Sequence, residues 1–475
     1  MKEILISMLS WLIAGLTIYG FCYLKECYND VSLFEFVYYA KMPLKGGNPG
    51  PFIKELPRTI IVAAGSLFIS LILYLYLAHR GLSARRVFFY TLLPALLIFI
   101  LSIILLCHHL KVISFIKLHL SYSQLYEKEY ADPRKCPILF PKEKRNLIYI
   151  FLESMETCYS SLSGSKTDYI PELSKLAKEG ITFSAPGSLH GAYAVPGATF
   201  TTGAMVAHMA GISIDLAIKE GGSFIPGMCT IGDILHEQGY EQEFLLGSDV
   251  YFGARQALMQ EHGDYRIFDY NSAKKDGHIP PDYYIWWGFE DEKLFSFAKE
   301  ELSTLHAKGK PFNFTMLTVD THFLNGCKCR LCRDQYKEQY GNVLACSSRQ
   351  VNSFIKWVKK QDFYKDTTIV ICGDHPTMDS GFIRRSGLKG SERRAFVTFL
   401  NVPEDLKGRP RDYTTLDLFP TTLAALGVKI PGNRLGLGVN LFSNEKTLLE
   451  RLGQKKTDEE FTKRSRFYRK NLLNR

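Results

Sequence analysis

The chain has 475 residues, 46% of them hydrophobic, and 58 Lys and Arg against 48 Asp and Glu for a formal net charge of +10. That length holds a membrane segment and one large soluble domain, and the apolar share is too small for a chain buried wholly in a bilayer. The surplus base sits beside apolar stretches and in the C-terminal tail, which fits a solvated surface near a membrane better than a nucleic-acid groove.

Three apolar stretches come first: Ile4–Leu24, Thr59–Ala78 and Val87–Cys107. Each is close to the roughly 20 helical residues that cross a bilayer. The first has neither a basic leader region nor a small-residue cleavage site, so it is expected to stay as an anchor. The short basic connection His79–Arg86 is expected to remain in the cytoplasm. With three spans the N-terminus is then inside, the loop Lys25–Arg58 outside, and everything after Cys107 outside. The expected organisation is a membrane segment over 1–115, a linker over 116–145, a globular domain over 146–445 and a basic tail over 446–475. The tail reads as a solvated helix or a disordered end.

From about Lys142 the pattern becomes α/β. Apolar runs at Asn146–Leu152, Phe244–Leu246, Phe314–Val319 and Thr367–Cys372 alternate with helical, charged stretches, and Arg394–Leu400 looks like another strand. Continuous apolar strands of this kind form a mostly parallel sheet covered on both faces. Four runs end in polar groups: Glu153, Asp249, Asp320 with His322, and Asp374 with His375. Singly each reads as a turn or cap residue. Together, at the carboxyl edge where such sheets bind ligands, they are the donors that a divalent ion takes.

Such an ion needs a nucleophile beside it to do transfer chemistry. Thr199, Thr201 and Thr202 lie at the expected start of a helix, whose dipole and free amides suit a phosphoester; the plain alternative is an N-cap. His190 and His208 flank this segment and are assigned no role. Of the 11 cysteines, Cys22 and Cys107 read as small hydrophobes, while Cys327, Cys329, Cys332 and Cys346 crowd one polar stretch. In an oxidising compartment these four are expected to form disulfides, with structural zinc as the alternative.

The segments Asn146–Thr157 (NLIYIFLESMET), the Thr-rich helix start, Thr318–His322 (TVDTH) and Cys372–His375 (CGDH) occur in a telling order. They resemble the lipoteichoic acid synthase and phosphoglycerol transferase branch of the alkaline phosphatase/sulfatase superfamily, above all the transferases that decorate periplasmic glucans. Tyr284–Phe289 (YIWWGF), Asp291, Asp417–Thr421 and Leu435–Gly438 fit the same branch.

The resemblance implies an alkaline phosphatase/sulfatase-like α/β domain behind three transmembrane helices. It makes Glu153, Asp374 and His375 ligands of one divalent ion, Mn²⁺ foremost with Mg²⁺ or Zn²⁺ open. A threonine becomes the fourth ligand and nucleophile. Thr201 is preferred because it follows Phe200, as in the Trp-Thr pair of glucan-modifying relatives; Thr199 fits another registration, and Thr202 is the third choice. His322 matches a histidine that contacts the phosphate or leaving group, and Arg255 falls in the substrate-binding region. The implied activity moves phosphoglycerol from phosphatidylglycerol to an envelope glycan or glycolipid through a phospho-threonine. The enzyme would sit in the bacterial cytoplasmic (inner) membrane with its catalytic domain on the periplasmic or extracellular side. A phosphoethanolamine transferase is the alternative; a sulfatase, a hydrolase or a non-catalytic envelope sensor fits less well. Cys158–Leu162 lacks the Pro and Arg of a sulfatase motif. Phe323-Leu324-Asn325 after His322 departs from the branch and leaves the acceptor open.

Overall fold

The structure is a computed structural model and describes residues 2–28, 31–218, 222–388 and 390–474. The chain divides into two compact units. The first contains α1 (Lys2–Cys27), and the second takes residues 34–47 with most of α2 (Leu33–Tyr39). Two further long helices, α3 (Gly50–His79) and α4 (Ala84–His109), belong to the first unit. α1, α3 and α4 are each long and apolar enough to cross a membrane. They contain the three expected stretches and extend them. Polar groups are satisfied inward: Trp11 Nε1 donates to the Thr91 carbonyl at 2.8 Å, and the Ser7 and Ser70 hydroxyls lie 3.4 Å apart. Leu5, Ile61, Phe68, Leu97 and Ile104 face outward, as hydrocarbon-solvated helices require.

The second unit is built on a six-stranded sheet. Its strands are β1 (Asn146–Leu152), β2 (Glu241–Leu246), β3 (Arg266–Phe268), β4 (Phe312–Leu317), β5 (Thr367–Gly373) and β6 (Val397–Leu400). They are ordered β3-β2-β4-β1-β5-β6. The first five run parallel and β6 pairs antiparallel to β5. The central strand β1 is buried at every position, which is why its sequence is an uninterrupted apolar run. Ile148, Ile150 and Leu152 share a core with Leu294, Phe295 and Leu302 of α6 (Asp291–Ala307) and with Leu344, Phe354 and Ile355 of α7 (Gln339–Val358). On the opposite face Tyr149 Oη lies 3.1 Å from His208 Nδ1, on α5 (Thr201–Ala210).

The structure departs from the sequence expectation at β3, at the strand expected over 394–400 and in the tail. β3 is too short and too polar at Arg266 to stand out as a run. The expected strand at 394–400 begins only at Val397, because Ala395 and Phe396 hydrogen-bond outside the ladder, to Ala192 and Met155. The described tail keeps exposed helical residues such as Gln454, Lys455 and Lys456, as expected, but it is not a free end. Arg464–Ser465 pairs parallel with Tyr122–Ser123, and Phe461, Tyr468 and Leu472 are buried, so its apolar residues carry it back onto the domain despite its charge.

Candidate active site

β1 delivers Glu153 one residue past its end, where Ser154 turns the chain with φ of +52°. Two contacts hold the turn: Thr318 Oγ1 receives the Glu153 amide at 3.0 Å, and Asp374 Oδ1 receives the Ser154 amide at 2.8 Å. β5 delivers Asp374 and His375 beside it. Gly373 is required at that junction, because a Cβ there would lie 1.9 Å from the Met155 carbonyl oxygen.

Glu153, Asp374 and His375 are all buried, and one donor atom of each lies within 4.8 Å of the others. His375 Nε2 is 3.6 Å from Glu153 Oε1 and 3.4 Å from Asp374 Oδ2. His375 Nδ1 lies 3.0 Å from the Pro376 carbonyl, which fixes a proton on Nδ1 and turns the Nε2 lone pair toward the carboxylates. Asp374 Oδ1 accepts from the Ser154 and His375 amides, whereas Asp374 Oδ2 is buried without a hydrogen-bond partner. An orphaned carboxylate oxygen facing an imidazole lone pair and a second carboxylate is the donor set of a divalent cation, and these residues fit one.

The electrostatics agree. Burial first, then the Glu153 charge, pushes the Asp374 carboxyl up to about 7. Burial opposes the charged form of His375, but Asp374 and Glu153 overcome it and raise His375 to about 9. For Glu153 burial acts upward, and the charges of His322 and His375 outweigh it, so its carboxyl stays below the usual range. Protons and a divalent cation would therefore compete for the same donor atoms of Asp374 and His375.

The three threonines separate cleanly. Thr201 Oγ1, on the first residue of α5, lies 3.4 Å from both Glu153 Oε2 and His375 Nε2. Thr199 Oγ1 donates instead to Glu35, and Thr202 Oγ1 donates to the Gly253 carbonyl at 2.8 Å. His322 is half-buried, with its ring 4.6 Å from that of Trp287. Arg255 is buried and donates to the Phe252 and Asp249 carbonyls at 3.0 and 2.7 Å. Burial lowers its pKa while the negative charge of Glu153 acts the other way. Asp249 and Asp320 are not part of the cluster. Asp249 Oδ1 accepts from the Tyr251 amide, and Asp320 lies beside Asp291, which caps the Val319 and Asp320 amides.

The Sulfatase family pattern matches residues 145–428, more than half of the chain. The chain belongs to the sulfatase family. Phosphoglycerol transferase I of Shigella flexneri is 30% identical over 331 residues, 66% of this chain and 41% of that protein. The protein of the same name from Escherichia coli (strain SMS-3-5 / SECEC) gives the same figures. The chain therefore spans about two fifths of the length of these curated relatives. Among solved structures, an alkaline phosphatase superfamily protein from Vibrio parahaemolyticus is similar at a TM-score of 0.51 and 20% identity, over 70% of this chain and 78% of that one. The lipoteichoic acid synthase LtaP from Listeria monocytogenes gives a TM-score of 0.51 at 17% identity, over 64% and 77%. Both establish an alkaline phosphatase-like fold.

Sequence reasoning missed one wall of this site. Glu35, Tyr38 and Tyr39 come from α2, in the connection between the first two long helices. The Tyr38 ring lies 4.3 Å from that of Phe200, and Tyr39 stacks on Phe252 at 5.5 Å. Phe252 in turn lies 5.3 Å from Trp287, so aromatic rings run from α2 to His322. The available signal was the dense run Leu33-Phe34-Glu35-Phe36-Val37-Tyr38-Tyr39, too short for a span and too apolar for a solvated loop.

Proposed function

We propose that the chain is a membrane-anchored transferase that moves phosphoglycerol from phosphatidylglycerol to a glycan or glycolipid of the cell envelope, through a phospho-threonine on Thr201. The observation that carries this reading is the Thr201 hydroxyl, equidistant at 3.4 Å from Glu153 and His375 at the head of α5. The relatives named phosphoglycerol transferase I support the choice of donor.

In this reading Glu153, Asp374, His375 and Thr201 hold one divalent ion, Mn²⁺ in preference to Mg²⁺ or Zn²⁺. When bound, it supplies positive charge that polarises a phosphoryl oxygen and acidifies a hydroxyl. Thr201 Oγ forms a bond to phosphorus as the bond to the diacylglycerol oxygen breaks. The threonine loses its proton and the departing diacylglycerol gains one, with His322 on the leaving-group side. An acceptor hydroxyl then attacks phosphorus, its proton leaves, and the Thr201 hydroxyl is restored. Amides at the α5 N-terminus face the phosphoester, and Arg255 adds positive charge beside it. The aromatic rings from Tyr39 to Trp287 exclude water, which favours transfer over hydrolysis. The catalytic unit is assigned to the periplasmic or extracellular side, where an envelope acceptor is available.

The test is full-length protein in vesicles of phosphatidylglycerol labelled in the head-group glycerol, quenched in acid and digested. A glycerophosphoryl group on the Thr201 peptide, with matching diacylglycerol release, is expected. A phosphoethanolamine adduct from mixed vesicles, or no adduct with either lipid, overturns the donor assignment.

A further inference from the structure

A second cluster of donors lies outside the site above. Cys329 Sγ is 3.7 Å from Cys332 Sγ and 3.7 Å from Cys346 Sγ, and the three sulfurs all lie within 4.8 Å of one another. None of the cysteines among the described residues is joined in a disulfide, contrary to the sequence expectation. A disulfide needs a sulfur separation of about 2.05 Å and can use only two of the three. A tetrahedral zinc–thiolate centre with Zn–S near 2.3 Å has sulfur–sulfur edges of about 3.8 Å and uses all three.

The surroundings point the same way. Cys329-Arg330-Leu331-Cys332 is a tight turn, closed by the Cys332 amide, which donates to the Cys329 carbonyl at 3.1 Å. Gln350 Nε2 donates to Cys346 Sγ at 3.6 Å, the kind of outer contact that orients a ligating thiolate. Nearby, Asp320 is 2% exposed and both of its carboxylate oxygens lack a hydrogen-bond partner.

We propose that Cys329, Cys332 and Cys346 bind one structural zinc ion, separate from the catalytic metal. The fourth position is left to water or to Cys327, which precedes Cys329 by two residues in the same segment. The consequence is mechanical. Cys346 sits on the rigid helix α7, whereas Cys329 and Cys332 lie in the irregular segment that follows His322. An ion held by both pins the His322 segment to the sheet-covering helix.

Full-length protein purified in detergent without chelator should carry zinc that Cys332→Ser and Cys346→Ser each lower by one equivalent per chain. Glu153→Gln should leave that equivalent in place, which separates this site from the catalytic cluster and makes the result independent of activity. A second readout needs no variant: exchange of wild-type protein with Co²⁺ should give a sulfur-to-cobalt charge-transfer band and strong red ligand-field absorption. Alkylation of denatured, chelated but unreduced protein should modify all three cysteines. A disulfide-linked peptide containing any of them, a wild-type cobalt spectrum without the thiolate band, or unchanged zinc in the serine variants overturns the proposal.

Discussion

Glu35 accepts a hydrogen bond from the Thr199 hydroxyl, two residues ahead of Thr201. The contact ties α2 to the start of α5. It also brings a buried negative charge that helps hold the proton on His375. Through Thr199 it fixes the turn that carries Thr201, so it is a positioning residue. Removing it frees the turn before Thr201 and loosens the aromatic contacts of Tyr38 and Tyr39. Glu35→Ala should lower kcat about 10- to 100-fold, the usual cost of losing an orienting contact, with metal content unchanged. Glu35→Gln keeps an acceptor oxygen and should recover part of the loss. Full activity in Glu35→Ala would show that the α2 contact is incidental.

The separate environments of the three threonines predict separate phenotypes. Thr201→Ala removes the only one of these hydroxyls near Glu153 and His375, and should cut turnover by roughly four orders of magnitude or more while abolishing the covalent adduct. Thr199→Ala loses only the bond to Glu35 and should still form the adduct, more slowly. Thr202→Ala loses its bond to the Gly253 carbonyl and should act mainly on stability. Intact-protein mass after acid quench reads all three. An adduct that survives Thr201→Ala and disappears in Thr199→Ala reverses the assignment.

Metal binding should be linked to protons. With Asp374 raised to about 7 and His375 to about 9, the metal-free cluster is protonated at neutral pH, and both groups must lose their protons to act as ligands. Apparent affinity for Mn²⁺ should therefore fall as pH drops from about 9 to about 7, by about tenfold per unit for each proton displaced. Titration calorimetry in buffers of different ionisation enthalpy counts those protons. An affinity independent of pH over this range contradicts the crowded-carboxylate account. Asp374→Asn should bind the ion more weakly and with fewer protons released.

How much of this was legible in the sequence follows from burial and sequence distance. β1, β4 and β5 could be read because a parallel strand covered on both faces must be apolar throughout, so the first polar residue marks its carboxyl end. Glu153, Asp374 and His375 were found by that rule. Asp249 and Asp320 obey it equally and lie outside the cluster, since a strand end fixes an edge of the sheet but not the direction of a side chain. Thr199 lies just before α5 and Thr201 is its first residue, a difference that the 3.4 Å contacts of Thr201 distinguish and composition does not. Glu35 was out of reach, because its 164-residue separation from Thr199 is closed only by tertiary structure. The cysteines were visible as a group, but their geometry, shared among three sulfurs, was not.

His208 gives a stability prediction with a definite sign. It sits on α5 with its ring enclosed, and Nδ1 lies 3.1 Å from Tyr149 Oη and 3.3 Å from Cys372 Sγ. Burial alone lowers its pKa from 6.5 to about 3. Above pH 6.5 neither the folded nor the unfolded chain protonates this residue, and it is silent. Between 6.5 and about 3 the unfolded chain takes up a proton that the folded protein refuses, so stability falls as the pH is lowered. The slope is about 1.4 kcal/mol per pH unit. His208→Gln cannot take up that proton in either state. It should be less stable than wild type at neutral pH, through lost packing, yet lose stability more slowly on acidification. Thermal or urea unfolding of the two proteins at a series of pH values below 6.5 measures the difference in slope. Parallel curves would mean that His208 is hydrated or protonated in the folded state, and that the packed interface between α5 and β1 is not dry.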